Sequence, residues 1–298
     1  ANDRTVYVPG STSVAIRQGG QWLRGAELPM PPPAGPSGQR PAEFSIGFPP
    51  GGSQPVVYAS TATAAFVSED GGRTWRRSEF PGFAPRFKTV ATSPRHPDVA
   101  YLSYDYRPAQ GERFHGIAKT TDRGRTWELV WKESGNPAPN VLDAWLSERF
   151  GPGWGGSPSD MSVAPSSPDI CYGTDSGRTM RTTDGGRTWV GIYSKRQPDG
   201  SYATTGLDVT TAYGVHFDPF NPKRMFISYT DIALFRSENA GKSWISASHG
   251  VPVRWRNTTY WIAFDPEVRG RVWGAMAGAH DLPRPKMWRG MQPVNYPC

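Results

Sequence analysis

The chain has 298 residues, a formal net charge of +7, 37% hydrophobic residues, 34 Gly and 30 Pro. Gly and Pro together exceed a fifth of the chain, which excludes a protein of long helices and predicts frequent turns. No apolar run approaches the roughly 18 residues of a membrane helix, and the dispersed Arg and Lys bring no helix-turn-helix, RNA-binding or zinc pattern, so neither a membrane span nor a nucleic-acid partner is expected.

In chain order, 5–28 reads as a partial unit ending in AIRQGGQW (15–22), with Arg17 at a position where later copies carry Asp. GFPPGGSQPVVYAS (47–60) leads to SEDGGRTW (68–75), and TSPRHPDVAYLSY (92–104) leads to TTDRGRTW (120–127). VAPSSPDICYGT (163–174) leads to TTDGGRTW (182–189), and FDPFNPKRMFISY (217–229) leads to SENAGKSW (237–244). FDPEVRGRVWGAM (264–276) opens a last unit that reaches Cys298 without a box. Asp70, Asp122, Asp184 and Asn239 stand 52, 62 and 55 residues apart, a period of blades or solenoid turns. Each unit reads strand, Pro turn, strand, loop, strand, box, strand. Alternation of Val99, Tyr101 and Ser103 against Ala100, Leu102 and Tyr104 supports the strands.

The box is expected to be a hairpin turn. Asp accepts hydrogen bonds from its own turn backbone, Gly two residues on supplies positive φ, and Trp lies back over the turn. Asp70, Trp75, Asp122, Trp127, Asp184, Trp189, Asn239 and Trp244 are therefore read as structural. Asn239 and Ser243 predict the same turn in the fourth copy, somewhat weaker.

Ser/Thr-x-Asp-x-Gly-x-Thr-Trp, met three times in full and once loosely, resembles the Asp-box, or bacterial neuraminidase repeat. That repeat occurs in sialidases, sortilin-type receptors, photosystem assembly propellers and xyloglucanase-type glycoside hydrolases. The resemblance covers most of the chain. It implies an all-β fold: a single β-propeller domain over 1–298, of four-stranded antiparallel blades. Six blades can be counted; the alternative is a seven-bladed ring completed by further chain. It specifies fold better than function.

In such blades the second-to-third-strand loops and the between-blade loops share the face opposite the boxes, so chemistry is sought there. GTDSGRTMR (173–181) and YTDIALFRS (229–237) resemble the TD-x-GG-x-YRS stretch of xyloglucanase-type hydrolases. Carried over, the resemblance marks Asp175 and Asp231 as acid and base, although Gly-Gly is here Ser176-Gly177 and Ile232-Ala233. Glycosidases work with a carboxylate pair. Asp105, in SYDYRPAQGERFHG (103–116), and Asp281, in GAHDLPRPKMW (278–288), are reserves. His115 and His280 in the same loops are candidate bases or metal ligands, more often neither. The between-unit stretches 140–156 and 250–261 carry Trp154, Arg254, Trp255, Tyr260 and Trp261. With Arg178 these are candidate substrate-binding residues, because exposed indoles and guanidinium groups suit sugar rings and their anionic substituents. Asp143 is a candidate helix cap in the first of these stretches.

No Phe/Tyr-Arg-Ile-Pro motif occurs early in the chain, and APRF (84–87) is not one, so classical sialidase activity is not expected. Cys171 and Cys298 have no metal-ligand spacing and do not define a disulfide; no metal or cofactor is expected. The chain opens at Ala1 without Met, which fits a processed end and a secreted, periplasmic or cell-surface location. The expected partner is a polysaccharide or anionic glycan, bound or hydrolysed. Alternatives are an acidic protein met by a non-catalytic propeller, and a structural role in a larger assembly.

Overall fold

A computed structural model describes residues 5–30, 43–51, 54–80, 84–205 and 212–278. Cys298, Asp281 and His280 lie outside the described residues. The fold is all-β: successive antiparallel sheets of short strands, with one six-residue α-helix among the described residues, at Trp145–Phe150. The chain divides into two compact units, Ala1–Tyr193 and Ser194–Cys298.

Among its described residues the first unit holds four sheets. Sheet 1 is three-stranded: Val6–Pro9, Val14–Gln18 and Gln21–Arg24. Sheet 2 runs Glu43–Gly47, Val56–Ser60, Ala65–Ser68 and Arg76–Arg77. Sheet 3 runs Arg86–Thr92, Ala100–Tyr106, Phe114–Thr120 and Glu128–Glu133. Sheet 4 runs Asp160–Val163, Cys171–Thr174, Thr179–Thr182 and Trp189–Gly191, and gains Val141–Leu142 as a parallel edge strand. The first strands of sheets 2, 3 and 4 lie side by side. Between sheets 2 and 3, Val56, Tyr58 and Val67 pack against Phe87, Val90, Leu102 and Tyr104. Both faces are covered in the second and third strands of sheet 2, Val56–Ser60 and Ala65–Ser68, where every residue is buried.

The second unit holds a hairpin, Ser194–Arg196 with Tyr202–Thr204, and a four-stranded sheet, Ala212–Phe217, Met225–Tyr229, Leu234–Ser237 and Ile245–Ser246. A two-stranded sheet follows, Thr258–Phe264 with Val272–Ala277, whose Ile262 packs on Phe226 and Leu234.

The four boxes form one turn, repeated. Asp70 Oδ1 accepts the backbone N–H of Arg73 (3.0 Å) and Thr74 (2.9 Å), and Oδ2 accepts the Thr74 hydroxyl (2.7 Å). Ser68 Oγ, at the head of the box, donates to Asp70 Oδ1 and accepts the N–H of Gly72, both at 2.7 Å. Thr120 with Asp122, and Thr182 with Asp184, repeat the pattern. Asn239 keeps the acceptor, taking the Ser243 N–H at 3.0 Å, while its Nδ2 donates to the Ser243 hydroxyl at 2.8 Å. The indole lies back over the turn: Trp75, Trp127 and Trp244 place Cζ2 within 3.6 Å of where a Cβ on Gly72, Gly124 and Gly241 would stand. Arg73, Arg125 and Arg187 fold onto the carbonyl of their own box Asp, so part of the chain's basic charge is spent on turns.

Two local expectations change. The degenerate box at 15–22 is a two-residue hairpin turn, with Gly19 and Gly20 at φ 59° and 77° between paired Gln18 and Gln21; Arg17 is in a strand and caps nothing. Asp143 is not the helix cap: it has φ 53°, and the cap position is Ala144, without a side-chain bond.

Candidate functional site

Since each box joins the third strand to the fourth, the opposite face collects strand starts and second-to-third-strand loops. In the first unit a cavity of 320 Å³ opens there between sheets 2 and 3. Glu43, Arg86, Phe87 and Lys88 line it from the starts of two inner strands. Ser60 and Asp105 come from the ends of second strands, and Thr61, Ala62 and Arg107 from the loops that follow.

The polar groups of this cavity differ in how far they are committed. Asp105 takes the Arg107 Nε on both carboxylate oxygens, at 3.1 and 2.9 Å. Lys88 Nζ donates to the Ser157 carbonyl at 2.8 Å. Ser60 is 2% exposed, yet its Oγ meets no protein partner among the described residues. Glu43 and Arg86 are exposed at the rim. Register pairs Glu43 with Ser60, and Arg86 with Asp105.

That register continues across sheet 3: Arg86, Asp105, His115 and Glu133 are successive partners on its four strands. Directly opposed residues project to one side, with Cβ atoms about 5 Å apart. The row ends in a buried network. Glu133 Oε2 takes His115 Nε2 at 3.2 Å and Arg178 Nη1 at 2.9 Å. Arg178 also reaches Asp175 Oδ2 (2.7 Å), Ser147 Oγ (2.5 Å) and the Gly156 carbonyl (2.8 Å), with its guanidinium over the Trp131 ring. Burial alone would raise the Glu133 carboxyl; the His115 hydrogen bond and the Arg178 charge outweigh it and hold it below its ordinary value. Burial likewise opposes the Arg178 charge, and Asp175 and Glu133 restore it, raising that group overall.

Asp175 is therefore enclosed. Its Oδ1 accepts the backbone N–H of Gly177 (3.0 Å) and Arg178 (2.8 Å), and its side chain is 1% exposed. Arg178 is enclosed with it. Trp154 stacks on Phe150 and lies over this turn, so close that a Cβ on Gly177 would sit 1.7 Å from its ring.

The remaining sequence candidates lie in the second unit. Asp231 stands at φ 63° in the turn after Met225–Tyr229. Arg254 stacks over Trp255, whose indole is exposed, on the loop before Thr258–Phe264. Tyr260 packs on Tyr213, and Trp261, also exposed, meets His216 edge-on. Asp175 and Asp231 thus belong to separate units, and Asp105 is the reserve candidate that lines a cavity.

Sequence reasoning missed Glu43, Ser60, Arg86 and Lys88. They sit in no motif; the available signal was a charged residue opening an inner strand, in EFSIG and RFKTV. Among the described residues no cluster of three His, Cys, Asp or Glu could hold a metal ion, and no helix is long and apolar enough to cross a membrane.

No family model matches the chain, and no curated protein matches it in sequence. Solved structures align with it at low identity. The GH74 xyloglucanase from Xanthomonas campestris is 14% identical over 85% of this chain and 42% of its own, with a TM-score of 0.43. An ancestral GH74 enzyme is 15% identical over 85% of this chain and 41% of its own, with a TM-score of 0.45. YCF48 from Cyanidioschyzon merolae is 14% identical over 79% of this chain and 93% of its own, with a TM-score of 0.32. The chain spans less than half the length of the GH74 structures.

Proposed function

We propose that the chain is an Asp-box propeller that acts outside the cytoplasm and takes a polysaccharide on the loop face opposite its boxes. In this reading all 298 residues belong to one domain of six blades, and the ligand enters the cavity between sheets 2 and 3. The observation that carries the reading is the lining of that cavity. Two carboxylates, Glu43 and Asp105, share one opening with cations and hydroxyls, beside Phe87 and Ala62. Such mixed lining, part apolar and part polar, is the ordinary make-up of a small-molecule site, and paired carboxylates are the equipment of glycoside hydrolysis. Glu43 and Asp105 are the proposed acid and base. Asp175 is proposed to hold the loop wall behind them through Arg178.

Release of reducing ends from a panel of plant and acidic polysaccharides tests this. Turnover should fall at least about 100-fold in both Glu43→Gln and Asp105→Asn. Turnover that survives both substitutions would reject the pair, and a chain that neither binds nor cleaves any glycan would reject the whole reading.

A second reading, a non-catalytic propeller that holds a protein partner, is favoured by the sheet of Thr258–Phe264 and Val272–Ala277. There Trp261 and Trp273 are 58% and 54% exposed. Exposed apolar surface of this kind marks interaction sites. Salt-sensitive pull-down of a single protein, lost in Trp261→Ala, by a chain with no affinity for glycans would favour this reading, and glycan binding lost in Glu43→Gln would reject it.

A further inference from the structure

Resting on the polysaccharide reading, we infer that the sugar held between sheets 2 and 3 carries a carboxylate, as a uronic acid does, and that Arg86 receives it. The three cations of the cavity are unequal. Arg107 is held by both oxygens of Asp105, and Lys88 is tied to the Ser157 carbonyl. The Arg86 side chain makes no hydrogen bond or ion pair with any described residue, although it stands at the opening. Glu43, its counterpart on the neighbouring sheet, is equally unengaged, and the two do not form an ion pair. The cavity therefore presents a guanidinium and a carboxylate that no ion pair engages, on different walls.

Ser60 adds an independent observation. Its hydroxyl is buried, lines the cavity and has no protein partner. A buried hydroxyl without a partner is costly, and a ligand group at that spot would satisfy it. A uronate residue matches the set. Its carboxylate suits the planar fork of Arg86, and its hydroxyls donate to Glu43 and exchange hydrogen bonds with Ser60. A neutral sugar would leave the Arg86 charge uncompensated.

The test is calorimetric titration of the full chain with polygalacturonate, alginate and hyaluronan oligosaccharides, each beside its methyl-esterified form. The acid form of at least one should bind about tenfold or more tightly than its ester, as expected for a lost charged hydrogen bond. Arg86→Ala should abolish that difference, and Ser60→Ala should weaken the acid form severalfold. Arg125→Ala, on the box face, removes the same charge and should change nothing. Equal affinity for acid and ester, an unaffected Arg86→Ala, or binding of sulfated glycans alone would overturn the carboxylate assignment and leave the polysaccharide reading standing. Binding of neutral glycans alone would do the same. Failure of every glycan to bind would remove both.

Discussion

At position 240 the fourth box holds an alanine at φ 60°, where the first and third boxes hold Gly71 and Gly185. A side chain in this left-handed region crowds its own carbonyl by about 1–2 kcal/mol, partly offset because glycine has more freedom to lose on folding. Ala240→Gly should therefore raise stability by roughly 0.5–1 kcal/mol in chemical denaturation. The second box carries Arg123 in the same conformation, at φ 59°, but its side chain meets Asp98 at 2.6 Å and Glu69 at 3.0 Å. Arg123→Gly exchanges backbone relief for lost ion pairs, and its change should stay within about 0.5 kcal/mol of zero. A gain in Arg123→Gly as large as in Ala240→Gly would show that those pairs contribute nothing. The glycine position of the box is thus a place where one repeated turn is bought from different sources in different copies.

Among the elements, the segment Trp145–Phe150 and the glycine-rich stretch after it have little reason of their own to be ordered. The helix is six residues long and lacks a side-chain cap, well short of independent stability. Arg178 fastens it, through Ser147 on one side and the Gly156 carbonyl on the other, while Glu133 ties the same guanidinium to sheet 3. Removing one member of a buried charged set typically costs about 3–5 kcal/mol. Arg178→Met should lose about that much in thermal unfolding, and limited proteolysis should then cut within 145–157 first. A variant as stable as the parent would mean that Trp154 and Phe150 hold the segment alone. This arrangement also explains what could be read from the residues and what could not. Box turns are local: Asp, Gly, Thr and Trp at fixed offsets state the whole hydrogen-bond pattern, so strand order followed from sequence. Three of the four hydrogen-bond partners of the Arg178 side chain, Gly156, Ser147 and Glu133, are 22, 31 and 45 residues away, and the cavity joins strand starts that no spacing rule connects. Asp175 looked like a catalytic carboxylate because its turn is motif-like; only its neighbours reveal a carboxylate closed off from the cavity, its side chain 1% exposed.

At the scale of the whole molecule, the titrating groups place the two units under different acid limits. In the first unit burial opposes ionisation of Asp122, but bonds from Thr126, Thr120 and Arg125 outweigh it and hold its carboxyl at about 2, down from 3.8. Asp70 and Asp184 are lowered in the same way. A carboxyl lowered by folding stabilises above its unfolded value and loses that contribution as pH falls through the folded one. For Asp122 this window runs from 3.8 down to about 2. In the second unit His216 is buried, with Ser228 Oγ 3.1 Å from its Nε2, and desolvation lowers it from 6.5. The unfolded chain then binds a proton that the folded one resists, so stability is complete above about 6.5 and declines as pH falls below it. Amide hydrogen exchange, corrected for the intrinsic pH dependence, should show protection in 212–264 declining between pH 7 and 5. Protection in 43–191 should hold until below about pH 4. His216→Gln keeps a partner for Ser228 but cannot take up the proton, and should flatten the first decline while leaving the second untouched. A parallel decline of both segments, or an unchanged profile in His216→Gln, would place the acid sensitivity elsewhere.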